Sequence, residues 1–169
     1  MRVEKIYLFY MISGFLLGSI LFAYEIPLLA ELLKGFLPVY FCCQRAGRQS
    51  LLFAGVLTAP VLGHAFSVFH RGKGGKGIAV SFGVLLGLFP WLTPALVLAG
   101  IYLFFSLIVP VKSHLKRSVV TFGCFGIVAF IGNWSLEIKL GIWLLSLVVI
   151  YKHVTAAELE IKKENWRTR

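Results

Sequence analysis

The sequence predicts an all-α protein, a polytopic bundle of about seven transmembrane helices, and three observations carry this prediction. Hydrophobic residues make up 59% of the chain and charged residues only 14%. The apolar residues form long unbroken runs instead of recurring at amphipathic spacing. Most Lys and Arg residues lie between these runs, where positive charge orients membrane helices. We therefore expect residues 1–169 to form a single integral membrane domain.

The apolar runs define seven candidate spans. Their approximate bounds are 6–24, 26–43, 51–69, 78–89, 92–109, 119–131 and 136–151. Several are shorter than the roughly 20 residues that cross a bilayer perpendicularly, so seven is an approximate number. Basic clusters follow alternate spans, at 71–76, at 112–117 and in the C-terminal segment. By the positive-inside rule these segments are predicted to be cytoplasmic and the N-terminus to lie outside, with Arg45 and Arg48 as exceptions.

The net charge of +10 also bears on possible partners. In a soluble protein it would suggest nucleic acid, but here orientation and anionic lipid headgroups account for the cations. Nucleic-acid binding is therefore not expected, and membrane lipid is. The cysteines at 42, 43 and 124 show neither metal-ligand nor disulfide spacing, so the sequence predicts no metal and no cofactor.

A basic, glycine-rich segment separates the third and fourth apolar runs. It reads His70-Arg71-Gly72-Lys73-Gly74-Gly75-Lys76-Gly77. Glycines let the backbone approach an anion and direct N–H groups toward it, and the cations supply charge. This pattern predicts a phosphate site. The alternative is an ordinary positive-inside loop, which explains the cations but not the glycines.

Polar residues inside the apolar runs are the next candidates, because each is costly in a membrane. Glu31 and Lys34 are three residues apart on one helix face and can neutralise each other. Ser19 and Ser106 are candidate site residues, but each hydroxyl could also simply donate a hydrogen bond to a backbone carbonyl oxygen of the preceding helical turn. His64 lies about two turns before the basic segment. Its side chain either faces a hydrated cavity or only supports the loop by packing.

Several segments together resemble one family, the bacterial acyl-phosphate:glycerol-3-phosphate acyltransferases. The longest match is Gly63-His64-Ala65-Phe66-Ser67-Val68-Phe69 followed by Gly72-Lys73-Gly74-Gly75-Lys76-Gly77-Ile78-Ala79. It is similar to the second motif of that family. Three shorter segments resemble other family motifs, namely Gly18-Ser19-Ile20, Glu31-Leu32-Leu33-Lys34-Gly35 and Tyr151-Lys152-His153. A long loop that usually follows the first span, with an Arg and a Gly/Asn-rich stretch, has no counterpart.

The resemblance implies transfer of an acyl group from acyl phosphate to glycerol 3-phosphate, which gives 1-acyl-glycerol 3-phosphate for phospholipid synthesis. It implies a multi-pass protein of the bacterial plasma membrane with a cytoplasmic site. The implied catalytic residues are Ser19, His64 and Lys76. The implied phosphate-binding residues are Arg71, Lys73, Gly74, Gly75, Lys76, Gly77, Ser106 and His153. A catalytically impaired member that binds phosphate or lipid is the alternative.

Overall fold

The computed structural model describes residues 2–20, 27–72 and 74–167. Within these residues there are seven α-helices and no strand. The helices are α1 (Arg2–Ser19), α2 (Pro27–Ala46), α3 (Leu52–Ala65), α4 (Ile78–Leu86), α5 (Thr93–Leu103), α6 (His114–Ile131) and α7 (Leu136–Arg167). A 3-10 turn at Val68–His70 follows α3, and a π-helical segment at Phe104–Ile108 extends α5. The predicted all-α class is confirmed, and each predicted span overlaps one of these helices.

The helices differ in whether they can cross a bilayer. Three helical segments are long and apolar enough to do so, at Leu52–His70, His114–Ile131 and Leu136–Glu158. By contrast, α4 has nine residues and is about 14 Å long, roughly half of a hydrocarbon core. The predicted last span ends at residue 151, whereas α7 continues to Arg167. The number of complete crossings therefore stays a prediction.

The centre of the bundle is α3, which packs against α1, α2, α4 and α7. Eleven of its 14 residues are buried. A helix that is apolar on every side belongs inside a bundle, because its neighbours must cover all its faces. The end of α3 thus brings His64 into the interior.

Two close helix crossings depend on glycines. A Cβ atom built on Gly63 of α3 would lie 2.0 Å from the Phe15 carbonyl oxygen of α1. One built on Gly83 of α4 would lie 2.0 Å from the Leu32 carbonyl oxygen of α2. Small residues allow helix backbones to approach this closely in membranes. These crossings fix α3 and α4 at the two ends of the glycine-rich loop.

We expect Gly83→Ala to destabilise the protein by about 1–3 kcal/mol, because the new methyl group would overlap backbone atoms that cannot rotate away. Thermal melting in detergent measures the effect. Gly100→Ala on α5 is the matched control, since its Cβ would meet nothing within 4 Å. An equal melting temperature for both variants would contradict the role assigned to the α2–α4 crossing.

The connections between helices gather at opposite ends of the bundle. A cavity of about 500 Å³ is lined by residues of the α2–α3, α4–α5 and α6–α7 connections, including Arg48, Trp91 and Asn133. The glycine-rich loop lines a different cavity, together with residues of α7 beyond the predicted span. The connections α4–α5 and α6–α7, which carry no Lys or Arg, thus lie at the same end of the bundle as Arg48, which is an exception to the positive-inside pattern.

Candidate active site

The glycine-rich loop folds back onto the end of α3. Arg71 and Gly72 have φ angles of 53° and 78°, in the left-handed region, and they reverse the chain after the 3-10 turn. The Gly75 N–H then donates a hydrogen bond of 3.0 Å to the His64 carbonyl oxygen. A Cβ on Gly74 would lie 1.9 Å from the same oxygen, so only glycine allows this approach.

The loop ends directly at the start of α4, and this junction presents backbone donors. Gly77 has a φ of 77° and precedes Ile78, the first residue of α4. Among the described groups, the N–H groups of Lys76 and Gly77 have no hydrogen-bond acceptor. The first turn of a helix also leaves N–H groups unpaired and carries a partial positive charge. Such a junction favours an anion.

A cavity of about 340 Å³ lies between this loop and α7. Its lining is Gly72, Gly74, Gly75 and Lys76 from the loop, with Lys152, Thr155 and Ala156 from α7. The two lysines can therefore approach one anion from opposite walls. The Lys152 ammonium group also lies 4.9 Å from the centre of the Phe66 ring, a cation–π contact that holds it beside the cavity.

Sequence reasoning did not include Lys152 among the site residues. The sequence pattern places it only in the C-terminal motif and among the basic residues that indicate the cytoplasmic side. The signal that could have identified it is its spacing from Thr155 and Ala156, because residues three and four apart share one helix face. That face is the one that α7 turns toward the glycine-rich loop.

His64 is a nearly buried histidine, with an exposed fraction of 8%. Its Nδ1 atom lies 2.7 Å from Oε2 of Glu31 on α2. Oε1 of the same carboxylate accepts a 2.7 Å hydrogen bond from the Lys34 ammonium group. The other ring nitrogen, Nε2, lies 2.1 Å from where a Gly75 Cβ would be. The ring therefore fills the space between the carboxylate and the loop.

The end of α1 contacts the same region through its carbonyl oxygens. The Ser67 hydroxyl donates a hydrogen bond to the Ser19 carbonyl oxygen, and its Oγ is 3.1 Å from Nδ1 of His70. The Lys34 ammonium group donates to the Ile20 carbonyl oxygen. The side chain of Ser19 itself is buried and donates a 2.9 Å hydrogen bond to the Phe15 carbonyl oxygen. A catalytic role for that hydroxyl stays a prediction.

The remaining predicted site residues lie at varied distances from the cavity. Ser106 is in the π-helical segment, where its hydroxyl donates a 2.6 Å hydrogen bond to the Tyr102 carbonyl oxygen, and it does not line the cavity. His153 is buried one residue after Lys152, with Nδ1 2.8 Å from the Val149 carbonyl oxygen. Arg71 is exposed and outside the lining. Lys73 lies outside the described residues.

Comparison with known proteins shows which family the chain belongs to. The sequence profile of the glycerol-3-phosphate acyltransferase family matches residues 26–162. A glycerol-3-phosphate acyltransferase of Endomicrobium trichonymphae is 31% identical over 145 residues, which are 85% of this chain and 70% of that protein. The chain belongs to the glycerol-3-phosphate acyltransferase family. The resemblance seen in its motifs is thus confirmed.

Other similar proteins carry the same family description. A glycerol-3-phosphate acyltransferase of Hydrogenobaculum sp. (strain Y04AAS1) is 30% identical over 137 residues, covering 80% of this chain and 67% of that one. The crystal structure of PlsY (YgiH), an integral membrane glycerol 3-phosphate acyltransferase, in its glycerol 3-phosphate form superposes with a TM-score of 0.76. That match has 21% identity and covers 93% of this chain and 92% of the other. It shows that the two share a fold.

The region matched by the glycerol-3-phosphate acyltransferase family includes most of the site. Glu31, Lys34, His64, the loop and Lys152 all lie within residues 26–162. Ser19 lies before the matched region. The elements that define the cavity therefore belong to the part of the chain that carries the family signal.

Proposed function

We propose that this family member transfers an acyl group from acyl phosphate to glycerol 3-phosphate and releases 1-acyl-glycerol 3-phosphate and phosphate. The observation that carries the proposal is the cavity between the glycine-rich loop and α7, with Lys76 and Lys152 on its walls. Both substrates carry a phosphate group, and two cations with nearby backbone N–H groups suit that chemistry.

The chemistry needs little beyond binding and alignment. The C1 hydroxyl oxygen of glycerol 3-phosphate attacks the acyl carbonyl carbon, and the bond from that carbon to the phosphate oxygen breaks. Phosphate leaves with the electron pair and takes up the hydroxyl proton. Because acyl phosphate is already an activated mixed anhydride, no covalent enzyme nucleophile is required. The loop and Lys76 stabilise the charge that develops on the departing phosphate.

An apolar groove of about 580 Å³ supports a lipid donor. It lies between α1, α3 and α7, and its lining includes Met11, Phe15 and Leu144. Leu62 also lines it, two residues before His64. We propose that the acyl chain lies in this groove, so that its carboxyl end reaches the region of His64 and the loop.

The direct experiment is an assay of the purified protein with acyl phosphate and labelled glycerol 3-phosphate. Labelled lysophosphatidic acid and one equivalent of phosphate are expected. Absence of product from protein that melts cooperatively would contradict the proposal. If that protein still bound inorganic phosphate, the catalytically impaired alternative would be supported.

We also propose that the site faces the cytoplasm of a bacterial cell. In a variant that lacks cysteines 42, 43 and 124, a cysteine introduced by Gly72→Cys should be protected from an impermeant thiol reagent in intact cells. One introduced by Ser135→Cys, in the α6–α7 connection, should react, because the two positions line cavities at opposite ends of the bundle. Reaction at position 72 from outside, with protection at 135, would reverse the assigned orientation.

A further inference from the structure

We propose that Glu31 is a positioning residue that holds the glycine-rich loop in its phosphate-binding conformation by acting through His64. The inference rests on the proposed function, in which that loop binds the substrate phosphates. Glu31 lies on α2 and does not line the loop cavity. Its effect is therefore transmitted across the bundle, by side chains that come from two different helices.

The first step is the pairing of the Glu31 carboxylate, whose side chain is 13% exposed. Lys34 and His64 have exposed fractions of 4% and 8%, so few water molecules can solvate them or the carboxylate between them. Each oxygen of Glu31 has its own contact, with Lys34 at 2.7 Å and with His64 Nδ1 at 2.7 Å. Oε2 and Nδ1 are close enough for an ion pair, but neither atom forms a well-directed hydrogen bond with any described group. A buried charge needs such pairing, so the three side chains form one unit.

The second step is the link from His64 to the loop. The Glu31 carboxylate restricts the imidazole on its Nδ1 side, because Oε2 lies 2.7 Å from that nitrogen. The opposite edge of the ring then rests against Gly75. The main chain of His64 accepts the hydrogen bond from the Gly75 N–H. One residue thus contacts the loop through both its side chain and its backbone.

The third step concerns what the loop does next. Gly75 is followed immediately by Lys76 and Gly77, whose N–H groups have no acceptor among the described groups. A displacement of Gly75 would therefore move the cation and the donors that we assign to phosphate. Loss of the carboxylate frees the ring to rotate, and the phosphate site should become less well ordered.

The test compares three variants of Glu31 with the wild type in detergent. Glu31→Gln removes the charge, Glu31→Asp retains it, and Glu31→Gln combined with Lys34→Met keeps the pair neutral so that no excess buried cation remains. Glu137→Gln is the control, since it makes the same charge change in a half-buried carboxylate at the far end of the bundle. Each protein is titrated with inorganic phosphate, assayed for KM and kcat, and melted.

We expect the double variant to bind phosphate roughly tenfold more weakly and to show a KM for acyl phosphate raised by about the same factor. This factor follows the effect of removing side chains that orient metal ligands. The melting temperature of the double variant is expected to fall somewhat, because Lys34→Met also removes the hydrogen bond to the Ile20 carbonyl oxygen. The Asp variant should recover part of the affinity, and Glu137→Gln should match the wild type.

Wild-type phosphate affinity and KM in the double variant, whatever its melting temperature, would overturn the proposal. Equal losses in the Asp and Gln variants would also overturn it. Failure of the wild type to form product would contradict the proposed function alone, because the phosphate titration does not depend on turnover.

Discussion

Gly74→Ala is expected to reduce phosphate affinity and acyl transfer by about a hundredfold, the loss expected when a catalytic element is displaced by about 1 Å. A Cβ at this position would lie 1.9 Å from the His64 carbonyl oxygen and 2.5 Å from that of Ala65. Both are backbone atoms at the end of α3, and they cannot rotate away. The loop must therefore move, and Lys76 moves with it.

The measurement is phosphate titration together with kcat/KM, and melting in detergent reports whether the bundle is intact. Gly123→Ala on α6 is the control for the same chemical change, since nothing lies within 4 Å of its Cβ position. Retention of wild-type kinetics by Gly74→Ala would show that the close approach at Gly74 is not needed for the site.

Neutralising either lysine of the cavity is the second large effect. Lys76→Gln and Lys152→Gln should each weaken phosphate binding by about 1.5–3 kcal/mol, because each removes a charge-assisted hydrogen bond or ion pair. This corresponds to roughly 10- to 150-fold in Kd. The double variant should lose less than the sum of the two free energies if, as proposed, both cations contact the same anion.

Lys116→Gln is the control for charge, because Lys116 is an exposed cation near the start of α6 and does not line the cavity. Isothermal titration with inorganic phosphate at constant ionic strength gives the affinities. If Lys152→Gln changed Kd no more than Lys116→Gln did, Lys152 would contribute only general positive charge, and the wall formed by α7 would not be part of the phosphate site.

The helices could be predicted from the sequence because lipid leaves little choice. Each backbone N–H and C=O group in a bilayer must be paired, so a long apolar run becomes a helix. The last helix is longer than the span that hydropathy predicts. Hydropathy falls after residue 151 as charged residues begin, but a helix can continue into water, and the structure continues it to Arg167.

The site divides into a part that is local in the chain and a part that is not. The loop is contiguous, so its glycines and lysines were evident as a motif. The contact between Glu31 and His64 joins residues on α2 and α3, and it depends on how those helices pack. Lys34 was correctly paired with Glu31 because the two are one helical turn apart. No periodicity within either helix could have predicted His64 as the second partner.

The hydrogen bonds at the end of α1 determine how freely the length of the α1–α2 connection can vary. Ser67, in the α3–α4 connection, donates a hydrogen bond to the Ser19 carbonyl oxygen. Lys34, on α2, donates one to the Ile20 carbonyl oxygen. The end of α1 is thus tied to α2 and to the α3–α4 connection by hydrogen bonds that do not involve the residues between Ile20 and Pro27. The entropy of closing a loop grows only slowly, by about 0.6 kcal/mol for each doubling of length. Insertions or deletions between these anchors can therefore change that connection while the phosphate site stays in place.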